Sequence, residues 1–129
     1  WAQNSSVVGK WKTIDDDTGK PKSIVEIRQT DDKFSAVINE LIDPEKPNPT
    51  CEKCVGEKKD KPVQGMEIMW GMKETKKGEE WADGEIMDPK KGKTYKCRLR
   101  LKDNGEKLEV RGYIGISLLG RTQVWTREK

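Results

Sequence analysis

Short runs of strand-forming residues, each closed by turn chemistry after about 8–12 residues, recur along this chain, and no helical period persists between them. The runs are Val7–Ile14, Ser23–Thr30, Lys33–Ile42, Met66–Lys73, Glu79–Met87, Lys93–Lys102, Glu106–Ile114 and Leu118–Arg127. About eight antiparallel strands suffice to close a small barrel, whose interior is either filled by side chains or left open for one small guest. The pattern therefore predicts an all-β fold: a single antiparallel up-and-down β-barrel over residues 7–129, with residues 1–6 a polar segment ahead of it.

One turn sets a register by itself. Asn104-Gly105 is the preferred pair for a two-residue type I′ hairpin, because both positions need positive φ. Counting outward, Leu101 meets Leu108, Leu99 meets Val110 and Cys97 meets Gly112, all on one face, which must be the interior. The opposite face pairs Arg100 with Glu109, but also Arg98 with Arg111 and Lys102 with Lys107. Together with Lys96 these form a basic outer stripe, which reads first as a solvated face and second as an anion-binding surface.

Composition limits the interior. Hydrophobic residues are 32% of the 129 and charged residues 38%, and adding the 12 glycines still leaves the chain below the apolar share, glycine included, of roughly 45–50% in an average domain. The core is expected to be thin or partly hollow. The net charge of +3 is too mild to indicate a nucleic-acid partner. The longest apolar candidate, Gly112 to Gly120, is far too short for a helical membrane span. With no histidine in the chain, there is no imidazole base for a Ser or Cys nucleophile, and no carboxylate pair is placed by spacing, so no catalytic residues and no enzyme are expected. The segment Asp15-Asp16-Asp17-Thr18-Gly19 lacks the closing glutamate of a calcium loop and reads as a plain turn.

Met66, Ile68, Trp70 and Met72 alternate at period two, a strand face of adaptable and flat apolar groups suited to an irregular guest. Core packing explains the same pattern, although five Trp beside one Phe is an unusual composition for a plain core. Trp11 shares a face with Val7, Gly9 and Thr13 and is expected to point inward, with Gly9 admitting another segment at close range. The candidate ligand wall is thus Trp11, Met66, Ile68, Trp70, Met72, Leu99 and Val110.

From Leu41 to Gly65 the alternation gives way to a Pro- and Lys-rich excursion, read either as a lid over one mouth or as a surface loop stapled by its own cysteines. It carries Cys51 and Cys54. A tetrahedral zinc site wants four ligands, and without histidine only three thiolates and a carboxylate could serve, so no metal is expected. A Cys51–Cys54 disulfide on an exposed loop with Cys97 as a buried thiol is the first expectation; a bridge from either to Cys97 is the alternative. Disulfide use and the polar start Trp1-Ala2-Gln3-Asn4-Ser5-Ser6, which suits the residue of a signal-peptide cut, point to export.

The segments at 9–23, Thr50 to Cys54, Asp88 to Tyr95 followed by Cys97, Arg111 to Gly115 and Gly120 to Arg127 resemble the bacterial exported family catalogued as domain of unknown function 2147. The resemblance covers almost the whole chain. It implies a lipocalin-like (calycin-like) barrel in a small periplasmic or secreted bacterial protein whose biochemical role is unassigned. Gly9-Lys10-Trp11 and a late arginine also resemble true lipocalins. That resemblance implies a structural plug, in which the tryptophan closes one barrel end under an arginine of the last strand; Arg121 and Arg127 both have the residue type.

The functional expectation is an exported barrel that binds a small apolar or amphipathic molecule, a lipid or fatty acid for instance, without a cofactor or a nucleic-acid partner. The alternative is a cell-envelope interaction module that works through the basic stripe around a fully packed barrel.

Overall fold

The Asn104-Gly105 hairpin forms with the expected register. In the computed structural model, Asn104 and Gly105 have φ of 56° and 89°, and the Glu106 N–H donates to the Asp103 carbonyl at 3.1 Å. Beyond the turn, Leu101, Leu99 and Cys97 face Leu108, Val110 and Gly112. The structure describes residues 6–15, 18–42, 44, 47–115 and 120–128; the expected polar segment over 1–6 lies, Ser6 apart, outside them.

Eight strands follow in chain order: β1 (Gly9–Ile14), β2 (Pro21–Thr30), β3 (Lys33–Leu41), β4 (Glu67–Lys76), β5 (Glu80–Asp88), β6 (Lys93–Lys102), β7 (Lys107–Tyr113) and β8 (Gly120–Arg127). Each pairs antiparallel with the next, and β1 pairs with β8 through Trp11–Arg127 and Lys12–Thr126, so the sheet closes on itself. The one named helical segment in the long excursion is a 3-10 turn at Gly56–Lys58. No helix among the described residues is long and apolar enough to cross a membrane.

The strand β4 departs from simple alternation, and this corrects the reading of Met66, Ile68, Trp70 and Met72 as one inner face. Against β3, Ala36 pairs with Met69 and Val37 with Glu67, so Ile68 is an extra residue and both Ile68 and Met69 turn inward. A second irregularity follows at Gly71, whose φ of 72° suits glycine, and it returns Met72 to the interior. Trp70, between the two, is left on the outside. It is half-buried, its indole N–H donates to Glu85 at 3.3 Å, and the Lys58 ammonium stands 3.9 Å from its ring centre. The neighbouring β5 is bulged at the same level, with Asp83 at φ 68° and the next residue, Gly84, pressed against the Trp70 carbonyl. A side chain at Gly84 has no room there.

The lower half of the barrel is filled. Trp11, Trp81, Met72, Leu99 and Leu108 are each almost wholly buried, and Phe34 meets Trp81 edge-on with ring centres 6.1 Å apart. The Trp81 indole nitrogen is buried without a hydrogen-bond partner among the described residues. Leaving that donor unmade costs about 1–3 kcal/mol, whereas burying the ring contributes about 4–6 kcal/mol, so the ring stays inside.

The basic stripe is partly neutralised by carboxylates. Arg100 pairs with Glu80 at 3.0 Å and Lys107 with Asp103 at 3.5 Å. Glu80 is held below the usual carboxylate range by hydrogen bonds from Thr75 and then Arg100.

Candidate functional site

The filling stops partway along the barrel. Above it a cavity of about 570 Å³ opens toward the end that carries the β1–β2, β5–β6 and β7–β8 connections. That is within the roughly 300–1,000 Å³ of pockets that take small molecules. Ile38, Val63, Ile68, Met87, Val110 and Trp125 are among the residues of its apolar wall. Gly112 faces inward on β7 and leaves room beside Tyr95 and Ile86, which a Cβ at this position would approach at 3.5 and 3.7 Å.

Two pairs of polar groups in the wall satisfy each other. Thr13 and Ser23, which face each other across β1 and β2, are buried with hydroxyl oxygens 2.6 Å apart. The Trp125 indole N–H donates to the Gln123 amide oxygen at 3.0 Å. Such pairing removes the penalty of lining an apolar cavity with hydrogen-bonding groups.

The residues expected at a ligand wall divide. Ile68 and Val110 line the cavity. Trp11, Met72 and Leu99 belong to the packed half instead, Met66 is buried outside the cavity lining, and Trp70 is on the outer surface. The Thr13–Ser23 pair, Tyr95, Gln123 and Trp125 were missed. The inward parity of β7 continues through Gly112, so its pairing with β8 is the signal that brings Gln123 into view.

Of the two candidate arginines, Arg127 covers the plug. It pairs with Trp11 across the β1–β8 seam, and its guanidinium carbon stands 4.2 Å from the ring centre. Burial lowers the pKa of Arg127 from its ordinary value. Gly9 makes room for it, since a Cβ there would approach Arg127 Nη1 at 2.9 Å. Arg121 is at the opposite end, at the cavity mouth.

Cys51 and Cys54 are joined, with Cα atoms 5.3 Å apart. The expected exposed position is corrected, because the two cysteines are 0% and 4% exposed. Their excursion folds down onto the β5–β6 turn. Cys51 Sγ is 3.2 Å from the Pro89 carbonyl oxygen, Cys54 Sγ is 3.7 Å from Met87 Sδ, and Gly92 packs directly beneath the Lys53 carbonyl. Since Met87, Pro89 and Val63 all line the cavity, the disulfide loop is built into one side of the mouth. Cys97 is a free, buried thiol, pushed up to about 12 by burial. No group of acidic, Cys or His side chains among the described residues is arranged to hold a metal ion.

A search of curated proteins finds no match. Among solved structures, the chain is similar to protein HP1028 from Helicobacter pylori, described as belonging to the lipocalin family: TM-score 0.84, 21% identity, over 96% of this chain and 84% of that one. At this identity the likeness shows the fold, and it agrees with the closed eight-stranded barrel. The sequence itself matches, over residues 9–127, the family described as "Uncharacterized protein conserved in bacteria (DUF2147)", and the chain therefore belongs to that family.

Proposed function

We propose that this protein is a non-enzymatic carrier or sensor that holds one small apolar or amphipathic molecule in the open half of its barrel, outside the bacterial cytoplasm. The observation that supports it is the division of the interior into a packed lower half and a cavity of about 570 Å³ whose wall is more apolar than polar, with Thr13 paired to Ser23 and Trp125 to Gln123. A barrel serving only as a scaffold gains stability from filling that space, because voids cost packing energy. The Cys51–Cys54 disulfide supports an oxidising compartment, periplasmic or extracellular.

The test is native mass spectrometry and solvent extraction of freshly purified protein, together with titration of N-phenyl-1-naphthylamine, whose fluorescence rises in apolar surroundings. A co-purified lipid, or saturable probe binding that quenches Trp125, is the expected result. A folded protein that carries no guest and leaves the probe dark overturns the reading.

A second reading uses the outer face. Lys96, Arg98 and Lys102 make no ion pair among the described residues, which supports an envelope module that meets anionic surfaces. Adhesion to anionic vesicles that vanishes with salt and survives blocking of the cavity distinguishes it.

A further inference from the structure

Among the described residues, basic side chains outnumber acidic ones at the cavity mouth. Lys22, Lys90, Lys91 and Arg121 contribute to the lining, against the carboxylates Asp15 and Asp88. Both carboxylates already serve the turns that carry them: Asp15 Oδ1 accepts from the Thr18 N–H at 3.2 Å, and Asp88 Oδ1 from the Lys90 N–H at 2.9 Å. Lys22, half-buried, and Lys91, exposed, have no ion pair or side-chain hydrogen bond among the described residues.

Depth sorts the chemistry. Below the rim the wall is mostly apolar, and two pairs of polar side chains that interrupt it, Thr13 with Ser23 and Gln123 with Trp125, are matched to one another, with Tyr95 the further polar group in the lining. A guest that brought its own hydrogen-bonding groups down to that level would have to break these pairs. At the rim the uncommitted charges among the described residues are the ammonium ions of Lys22 and Lys91, which favour negative charge.

Resting on the carrier reading above, we propose that the guest is an anionic amphiphile, a single apolar chain ending in a carboxylate or phosphate, which lies tail-down in the barrel with its headgroup met by Lys22 and Lys91. The tail supplies most of the affinity through apolar burial, and the headgroup supplies orientation and choice among guests. Exposed ion pairs are individually weak, so the lysines discriminate rather than anchor.

The experiment compares dodecanol, dodecanoate and dodecyl phosphate on the intact protein by isothermal titration at pH 8, at low and high salt. One or both anions are expected to bind about tenfold more tightly than the alcohol at low salt, the gain expected of two exposed charge pairs. That advantage should shrink at high salt. The variant Lys22→Gln/Lys91→Gln should lose the advantage while keeping its affinity for dodecanol and its melting temperature. Whichever anion gains identifies the headgroup. Equal binding of all three probes overturns this proposal and leaves the carrier reading standing; an anion preference that persists in the double variant overturns the assignment to these lysines. Binding of none of the three, with the fold intact, overturns both.

Discussion

Arg127 lies over the indole ring of Trp11 and donates at the same time to the carbonyl oxygens of Gly105, Val8 and Ser6, at 2.7, 3.2 and 2.7 Å. The Trp11 indole N–H in turn donates to the Val7 carbonyl at 2.9 Å. One side chain thus ties β1, the segment before it and the β6–β7 turn into a single closure. Trp11→Ala is expected to cost about 3–5 kcal/mol in urea unfolding, because a fully buried ring is removed. A double-mutant cycle with Arg127→Ala should show coupling of about 1 kcal/mol. Arg127→Lys should restore little, since an ammonium cannot reach three carbonyls as the planar guanidinium does.

The junction between the disulfide loop and the β5–β6 turn gives a controlled comparison. Gly19 and Gly92 both have positive φ, 73° and 69°, yet a Cβ at Gly19 meets nothing within 4 Å whereas one at Gly92 collides with the Lys53 carbonyl. Gly19→Ala should therefore cost only the left-handed backbone penalty, about 1–2 kcal/mol. Gly92→Ala should cost clearly more and should loosen probe binding, as thermal melts and titrations of the two variants will show.

Filling the cavity should separate binding from folding. Gly112 has no positive-φ requirement, and its nearest neighbours would be at ordinary contact distance from an added Cβ. Gly112→Ala is expected to melt within a few degrees of the parent, whereas Gly112→Leu should project into the open half and weaken apolar-probe binding by about tenfold or more while the far-ultraviolet spectrum is unchanged.

Burial of Cys97 makes stability depend on alkaline pH. Its thiol is raised from 9.0 to about 12 in the folded chain. Between those values the unfolded chain releases the proton and the folded chain retains it, so the unfolded state binds fewer protons and stability falls as pH rises. The slope from this group is at most about 1.4 kcal/mol per pH unit. The contribution is fully present below about pH 9 and absent in Cys97→Ala, so the difference between the two unfolding curves isolates it. At pH 8 the native thiol should resist iodoacetamide and react only in denaturant.

Trp70→Ala should leave apolar-probe affinity unchanged and lower stability by about 1–2 kcal/mol, because the ring is on the outer side of the barrel and its contacts with Lys58 and Glu85 and its packing against the edge of the core are lost. A loss of binding in this variant places the guest on the outer surface.

How far each feature could be read from sequence depended on whether a local rule determined it. The β6–β7 register was legible because the Asn104-Gly105 turn leaves one pairing, which put Val110 on the inside. The β4 wall was misread because Trp70-Gly71-Met72 looks like uninterrupted alternation, while two bulges shift the faces; Gly71 opposite the Asp83-Gly84 pair was the available cue. Arg121 and Arg127 have the same parity on β8, so alternation could not choose between them. Only the closing pairing of Trp11 with Arg127, a contact between strands distant in sequence, separates the plug from the mouth. The burial of Cys51 and Cys54 was likewise out of reach, because it depends on where the excursion lands.

The packed lower half, with Trp11 and Trp81 as its bulk, makes the barrel a cup rather than a pipe. A cup has one portal, so any occupant must leave by the route it entered. On the carrier reading, exchange would then be strictly sequential: a newcomer would wait for the vacancy and could not push its predecessor out from behind. The floor also acts as a ruler, since an elongated occupant beyond a certain length must protrude into water.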